Sequence, residues 1–130
     1  EHQNMYATPV PEGVTIAPGA LGGVSWSPSA LDQRKQQAYV AAIHWPIRYT
    51  KKVLPATATQ PELVYSNLEP EMDVPRWGVL SAIDLRTGKM RWQRKTQQPL
   101  IGGVLATVGG LIFFGEGNGY RHGRRNKSRS

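Results

Sequence analysis

One hairpin occurs twice in this chain. The stretch GGVSWSPSALDQRKQQAYVAAI begins at Gly22 and GGVLATVGGLIFFGE begins at Gly102, and each runs Gly-Gly-Val, a first strand, a turn and a second apolar strand. Two copies of one hairpin imply a radial repeat, in which each unit buries its apolar face against a neighbour. After the first copy and a long excursion, GVLSAIDLRTGKMRW supplies a third and a fourth strand. The strand signals are residues 37–43 (QAYVAAI), 78–84 (GVLSAID), 90–95 (MRWQRK), 103–108 (GVLATV) and 111–115 (LIFFG). All are short and bounded by turn residues. No segment keeps a helical period over three turns.

Four antiparallel strands per unit is the blade of a β-propeller. The expectation is therefore an all-β chain, a fragment of a β-propeller of about two blades of four-stranded antiparallel sheet with a long inserted loop. The insertion is residues 44–77, where five prolines (Pro46, Pro55, Pro61, Pro70, Pro75) interrupt scattered apolar positions. It reads as an extended excursion between two strands, and so long a loop in a compact domain is more often functional or partner-facing than idle.

Charge divides the chain. The net charge is +7, but the last ten residues, RHGRRNKSRS, carry five basic side chains and no acid. The other 120 residues hold 11 basic and 9 acidic side chains, close to neutrality. Residues 1–120 are thus expected to form the propeller piece, and residues 121–130 a basic, disordered or non-native tail with no apolar residue to anchor it. No aromatic platform accompanies the tail, so a nucleic-acid partner is not expected, and an anion or nucleic-acid binder is only the second alternative. No apolar run reaches the roughly 20 residues of a membrane span. The absence of cysteine excludes a disulfide framework or a thiolate metal site in this segment.

The turn in AIDLRTGKMRW (residues 82–92) is specified residue by residue. Ala82 is small enough for close packing between blades. Asp84 ends a strand with a carboxylate able to accept backbone N–H bonds across the turn, and Thr87 can donate to the same turn. Gly88 supplies a positive φ that would cost another residue. Lys89 is expected in solvent. Trp92 opens the outer strand with a flat ring that can cover an adjacent peptide plane or the next blade.

The pattern A-x-D-x-x-T-G-K-x-x-W, met by Ala82, Asp84, Thr87, Gly88, Lys89 and Trp92, resembles the tryptophan-docking motif of the quinoprotein alcohol dehydrogenases. Those are eight-bladed propellers carrying pyrroloquinoline quinone (PQQ) and a calcium or lanthanide ion. PGALGGVSW and PLIGGVLATVGGLIFFGEGNGY are similar to late-blade segments of that family. The resemblance runs from about Val14 to Tyr120 and implies the C-terminal portion of a PQQ-dependent alcohol dehydrogenase.

What the resemblance implies is specific in part. An alcohol is oxidised at the quinone, electrons pass to a cytochrome c in the periplasm, and this segment forms one wall of the cofactor chamber. Its partners are the remaining propeller blades, the cytochrome c and the alcohol. The candidate cofactor-binding residues are Ser25, Trp26 and Ile101. Ser25-Trp26 stands where relatives carry Asn-Trp beside the quinone, and Leu100-Ile101 precedes the second Gly-Gly, a segment that approaches the cofactor in some members. Trp26 is equally readable as propeller core, and for Ile101 core packing is the stronger reading. Catalytic residues and metal ligands belong to earlier blades, so none is named here, and the isolated chain is expected to be inactive. The residues 44–77 excursion would rim the substrate funnel or the cytochrome surface. The first alternative is a truncated, non-catalytic structural or interaction fragment.

Other chemical motifs fail. GEGNGY follows a strand, yet neither an apolar helix nor an acid some 20 residues on follows it. Thr87-Gly88-Lys89 lacks both the preceding glycine and the following hydroxyl of a phosphate-binding loop. His2, His44 and His122 have no ligand spacing, and Glu69, Glu71 and Asp73 lack the glycine-turned loop of a calcium cage.

Overall fold

The computed structural model describes residues 7–119 and 121–125, and it is built from strands with no helix among the described residues. The chain divides into two compact units, one of residues 1–20 and 45–75, the other of residues 21–44 and 76–130.

The second unit holds the repeated hairpins. Its first sheet has the order β2-β3-β6-β7, formed by β2 (Ala30–Asp32), β3 (Gln37–His44), β6 (Trp77–Asp84) and β7 (Met90–Thr96). All neighbours are antiparallel, which is the four-stranded blade expected from the repeat. Side chains alternate in β3, where Gln37, Tyr39, Ala41 and Ile43 turn into the interior and the residues between them are half-buried. That period of two is the signature of a strand with one face on a core. The second sheet, β10-β9-β8, is built from β8 (Val104–Ala106), β9 (Leu111–Gly115) and β10 (Arg121–Arg125). Strand β8 lies against β2 and β3. One core joins the two sheets: Tyr39, Ala41, Leu80, Ala82, Leu100, Val104, Ile112 and Phe114 are buried together.

Strand β10 departs from the expected tail. Arg121–Arg125 pair antiparallel with β9, and His122, opposite Phe114 in the register, stacks on its ring at 4.9 Å. His122 also meets Glu116 at 2.6 Å, and Glu116 accepts the Gln98 N–H at 3.0 Å. Pairing supplied by β9 thus gives structure to a stretch whose own composition offers none. Residues 126–130 of the tail lie outside the described residues.

The insertion is present, and it is a sheet where the sequence reads as a loop. In the first unit, β4 (Ile47–Leu54) and β5 (Leu63–Pro70) form an antiparallel hairpin, and β1 (Val14–Ile16) pairs with β4 to give the order β1-β4-β5. The five prolines do not oppose this. Pro46, Pro55, Pro61 and Pro75 fall outside the strands and Pro70 is the last residue of β5, positions where a missing N–H costs no ladder bond.

The turn between β6 and β7 follows its residue-by-residue specification except at Thr87. Asp84 is 4% exposed and its Oδ1 accepts the N–H of Arg86 at 2.9 Å and of Thr87 at 3.2 Å, while its Oδ2 is bound by the Arg91 guanidinium. Gly88 has φ 68° and donates to the Asp84 carbonyl at 2.8 Å. Thr87 accepts from the Lys89 N–H at 3.3 Å instead of donating, and Lys89 is exposed. Trp92 is half-buried, its ring 6.1 Å from that of Tyr39 in the same sheet.

The Arg91 hydrogen bond, helped by the two amides and opposed by burial, lowers the Asp84 carboxyl to about 2. A carboxyl with a depressed folded pKa stabilises the fold fully above its unfolded value of about 3.9 and loses that contribution as pH falls. Urea midpoints of the chain should therefore drop between about pH 4 and about pH 2 more steeply than those of Asp84→Asn. Parallel pH profiles for the two chains would contradict this role of the carboxylate.

Candidate functional site

The repeat places two equivalent loops side by side. Each precedes the first strand of its sheet, residues 22–29 before β2 and residues 97–103 before β8, and β2 and β8 are neighbours. Three hydrogen bonds fix the first loop. Ile43 N–H donates to the Gly23 carbonyl at 2.6 Å, Ser27 Oγ donates to the Ile101 carbonyl at 2.6 Å, and Val104 N–H donates to the Pro28 carbonyl at 2.9 Å. Ser27 is buried to 8% exposure, and Leu100, fully buried, anchors the second loop in the core.

Ser25, Trp26 and Ile101 are thus brought onto adjacent loops, with Ser27, which follows Trp26 in the chain, bonded to the carbonyl of Ile101. Their side chains are not core. Trp26 is 79% exposed and Ile101 44%, while Ser25 is half-buried. Val24, on the same loop as Trp26, is 59% exposed. The core reading of Ile101 does not describe this structure, because its neighbour Leu100 takes the interior position. Ser27 is the residue that sequence reasoning missed. Its signal was a small hydroxyl between Trp26 and Pro28, where the chain must hydrogen-bond without a regular ladder.

At the end where β3 leads out and β6 returns, His44 stacks on Trp77 at 3.6 Å with a 16° interplanar angle, and Lys95 Nζ sits 3.7 Å from the Trp77 ring. His44 is therefore a packing residue of this end. The acids of the insertion do not gather: Glu71 accepts from Thr15 Oγ1 at 2.8 Å, whereas Glu69 binds Asn67 at 2.8 Å and Lys52 at 3.4 Å. Among the described residues no group of three or more His, Asp or Glu side chains could hold a metal ion. No helix among them is long and apolar enough to cross a membrane.

Residues 1–122 match the family described as glucose/ethanol/alcohol dehydrogenase, beta-propeller domain. A quinoprotein ethanol dehydrogenase of Pseudomonas aeruginosa is 37% identical over 109 residues, which is 84% of this chain and 18% of the relative. Among solved structures, a quinohemoprotein alcohol dehydrogenase from Pseudomonas putida superposes with a TM-score of 0.65 at 20% identity, over 85% of this chain and 18% of that one. A europium-containing methanol dehydrogenase gives a TM-score of 0.61 at 22% identity, over 88% of this chain and 21% of that one. At those identities the two structures establish the fold, and the chain spans about a fifth of the length of the proteins it matches. Two sheets entered through paired Gly-Gly loops, the turn at Asp84 and a family match across 122 residues agree: the chain belongs to the PQQ-dependent glucose/ethanol/alcohol dehydrogenase β-propeller family.

Proposed function

We propose that this segment works within a PQQ-dependent alcohol dehydrogenase of the periplasm and forms one wall of the cofactor chamber. Membership of the family supports the reaction class, and the exposed Trp26 beside Ile101 on two tied loops is the observation that carries the wall. A planar quinone needs an apolar surface against its ring and hydrogen-bonding groups at its rim. The indole of Trp26 and the side chain of Ile101 offer the apolar surface and the Ser25 hydroxyl a polar group for the rim, so the residue types present fit the group.

When bound, the quinone supplies the two-electron chemistry that oxidises an alcohol. The share of this segment is placement. Trp26 and Ile101 would cover ring surface and exclude water, and Ser25 would offer one donor and one acceptor on a short arm. The Ser27 bond to the Ile101 carbonyl holds the two loops at a fixed separation, so both contacts act together. The calcium or lanthanide ion and the catalytic groups meet other blades, and a cytochrome c takes the electrons. The Asp84 turn and Trp92 serve as the docking element between blades.

In the complete enzyme, Trp26→Ala should weaken quinone binding about tenfold, equivalent to about 1.4 kcal/mol. Absorbance titration of the apoenzyme with PQQ reads this directly. Val108, also 79% exposed but at the far end of β8, is the control, and Val108→Ala should bind as wild type. Unchanged affinity in Trp26→Ala would remove the loop pair from the chamber.

A further inference from the structure

Strand β5 is the open edge of the sheet β1-β4-β5, and among the described residues only β4 pairs with it. Two bonds show where its free backbone groups point. Lys51 N–H donates to the Val10 carbonyl at 2.9 Å, on the side of β4 away from β5. A strand residue turns its N–H and C=O to the same side, so Lys51 and Ser66, opposite each other in the register, make no ladder bond to one another. Ser66 therefore turns both groups outward, and with the period of two Val64 and Leu68 do the same. Asn67, between them, turns inward, where its carbonyl accepts from Thr50 Oγ1 at 3.4 Å.

Ahead of Glu69 and Pro70 the edge is unprotected. Residues 63–68, LVYSNL, contain no charge, no proline and no glycine, and charge returns only at Glu62 and Glu69. Val64 is 49% exposed and Leu68 48%, on the same face as Val53 at 47%. Proteins normally blunt such edges with lysine, proline or a bulge, because a row of free N–H and C=O groups is a template for another strand.

We propose that the β5 edge is a self-association site, at which a second copy of the chain pairs its own β5 antiparallel about a two-fold axis through Ser66. The residue pattern selects this partner and this register. With the axis at Ser66, Val64 of each copy faces Leu68 of the other on the apolar face, Tyr65 faces Asn67, and Leu63 faces Glu69, so no like charges are opposed. The outward groups of Val64, Ser66 and Leu68 then form about six backbone hydrogen bonds between the copies. Moving the axis to Leu68 would set Pro70, which has no N–H, opposite Ser66. Moving it to Val64 would place Gln60, outside the strand, opposite Leu68. The contact is isologous, so it closes at two copies.

The absence of cysteine makes a direct test available. Hydrogen-bonded antiparallel neighbours have Cα atoms about 5.5 Å apart, inside the range of about 4.4 to 6.8 Å that a disulfide bridges. Mild oxidation of the full Ser66→Cys chain should yield covalent dimer about tenfold or more faster than Ala58→Cys, because pairing raises the effective concentration at the axis. Ala58 is exposed in the β4–β5 connection, and the two connections point apart in the proposed dimer. A second variant, Ser66→Pro, removes only an outward N–H and so should keep the β-sheet circular dichroism while losing the dimer in sedimentation velocity. Equal oxidation rates at positions 66 and 58, a dimer that persists in Ser66→Pro, or a wild-type chain that sediments as a monomer at every concentration would overturn the proposal.

Discussion

Tyr39→Ala should destabilise the chain by about 3–5 kcal/mol, the cost of emptying a large aromatic site in a core that cannot collapse around it. Tyr39 is fully buried in the centre of the first sheet, with Ala30 and Ala82 opposite it on the two neighbouring strands. Both neighbours are alanines, so neither can swing into the void. Its hydroxyl donates to Gln37 Oε1 at 3.0 Å, and Tyr39→Phe should cost only about 1 kcal/mol, the net value of one hydrogen bond. Burial, with a smaller contribution from the Asp32 charge, pushes the phenol up to about 12. The neutral phenol is the form that the fold holds, so this contribution is complete below the usual value of about 10 and is lost as pH rises through about 12. Tyr39→Phe should lack that alkaline loss. Urea unfolding of the three chains at neutral and alkaline pH checks both expectations, and equal midpoints for Tyr39→Ala and Tyr39→Phe would contradict the packing role.

Gly78→Ala should destabilise the chain by about 1–3 kcal/mol through overpacking. Gly78 is buried in β6 between Ile43 and Thr96. A Cβ there would stand 2.6 Å from Leu100 Cγ, 2.6 Å from Thr96 Oγ1 and 2.8 Å from the Gln98 carbonyl oxygen. Two of these neighbours are already committed, since Thr96 Oγ1 donates to the Gln98 carbonyl at 2.8 Å, and the third is a fully buried core leucine. Relief requires moving the strand that leads to the Ile101 loop, so the Trp26 and Ile101 surfaces should separate as well. Gly102→Ala is the matched control: its Cβ would meet nothing within 4 Å, and the change should stay within about 0.5 kcal/mol. A Gly78→Ala chain as stable as Gly102→Ala would show that this corner of the core is loosely packed.

How much of this was legible in the sequence varies with the range of the forces involved. Strands β3, β6, β7 and β9 were readable to within a residue at their ends, because alternation of Gln37, Tyr39, Ala41 and Ile43 and the D-x-x-T-G-K turn are local signals. Strand β8 is shorter than its apolar run, since Thr107 is taken into the turn by bonds between its backbone and side chain and Leu111. The insertion was misread because β4 carries Arg48, Lys51 and Lys52 and both strands are flanked by prolines, so neither apolar alternation nor composition marks it. Its third strand, β1, comes from some 30 residues upstream, a pairing no local window contains.

The sequence by itself determined the repeated unit, the turn at Asp84 and the family, because each rests on residue types at fixed short spacings. It also named Ser25, Trp26 and Ile101 without relating the two loops that carry them. Only the tertiary structure decided that these loops lie side by side, that Leu100 and not Ile101 enters the core, that β10 forms on β9, and that β5 is left with an open edge among the described residues. Each of those depends on which strands become neighbours. Strand preference is mainly a preference for packing and pairing partners, and partners separated by tens of residues are settled by the closed fold and by no stretch of the chain alone.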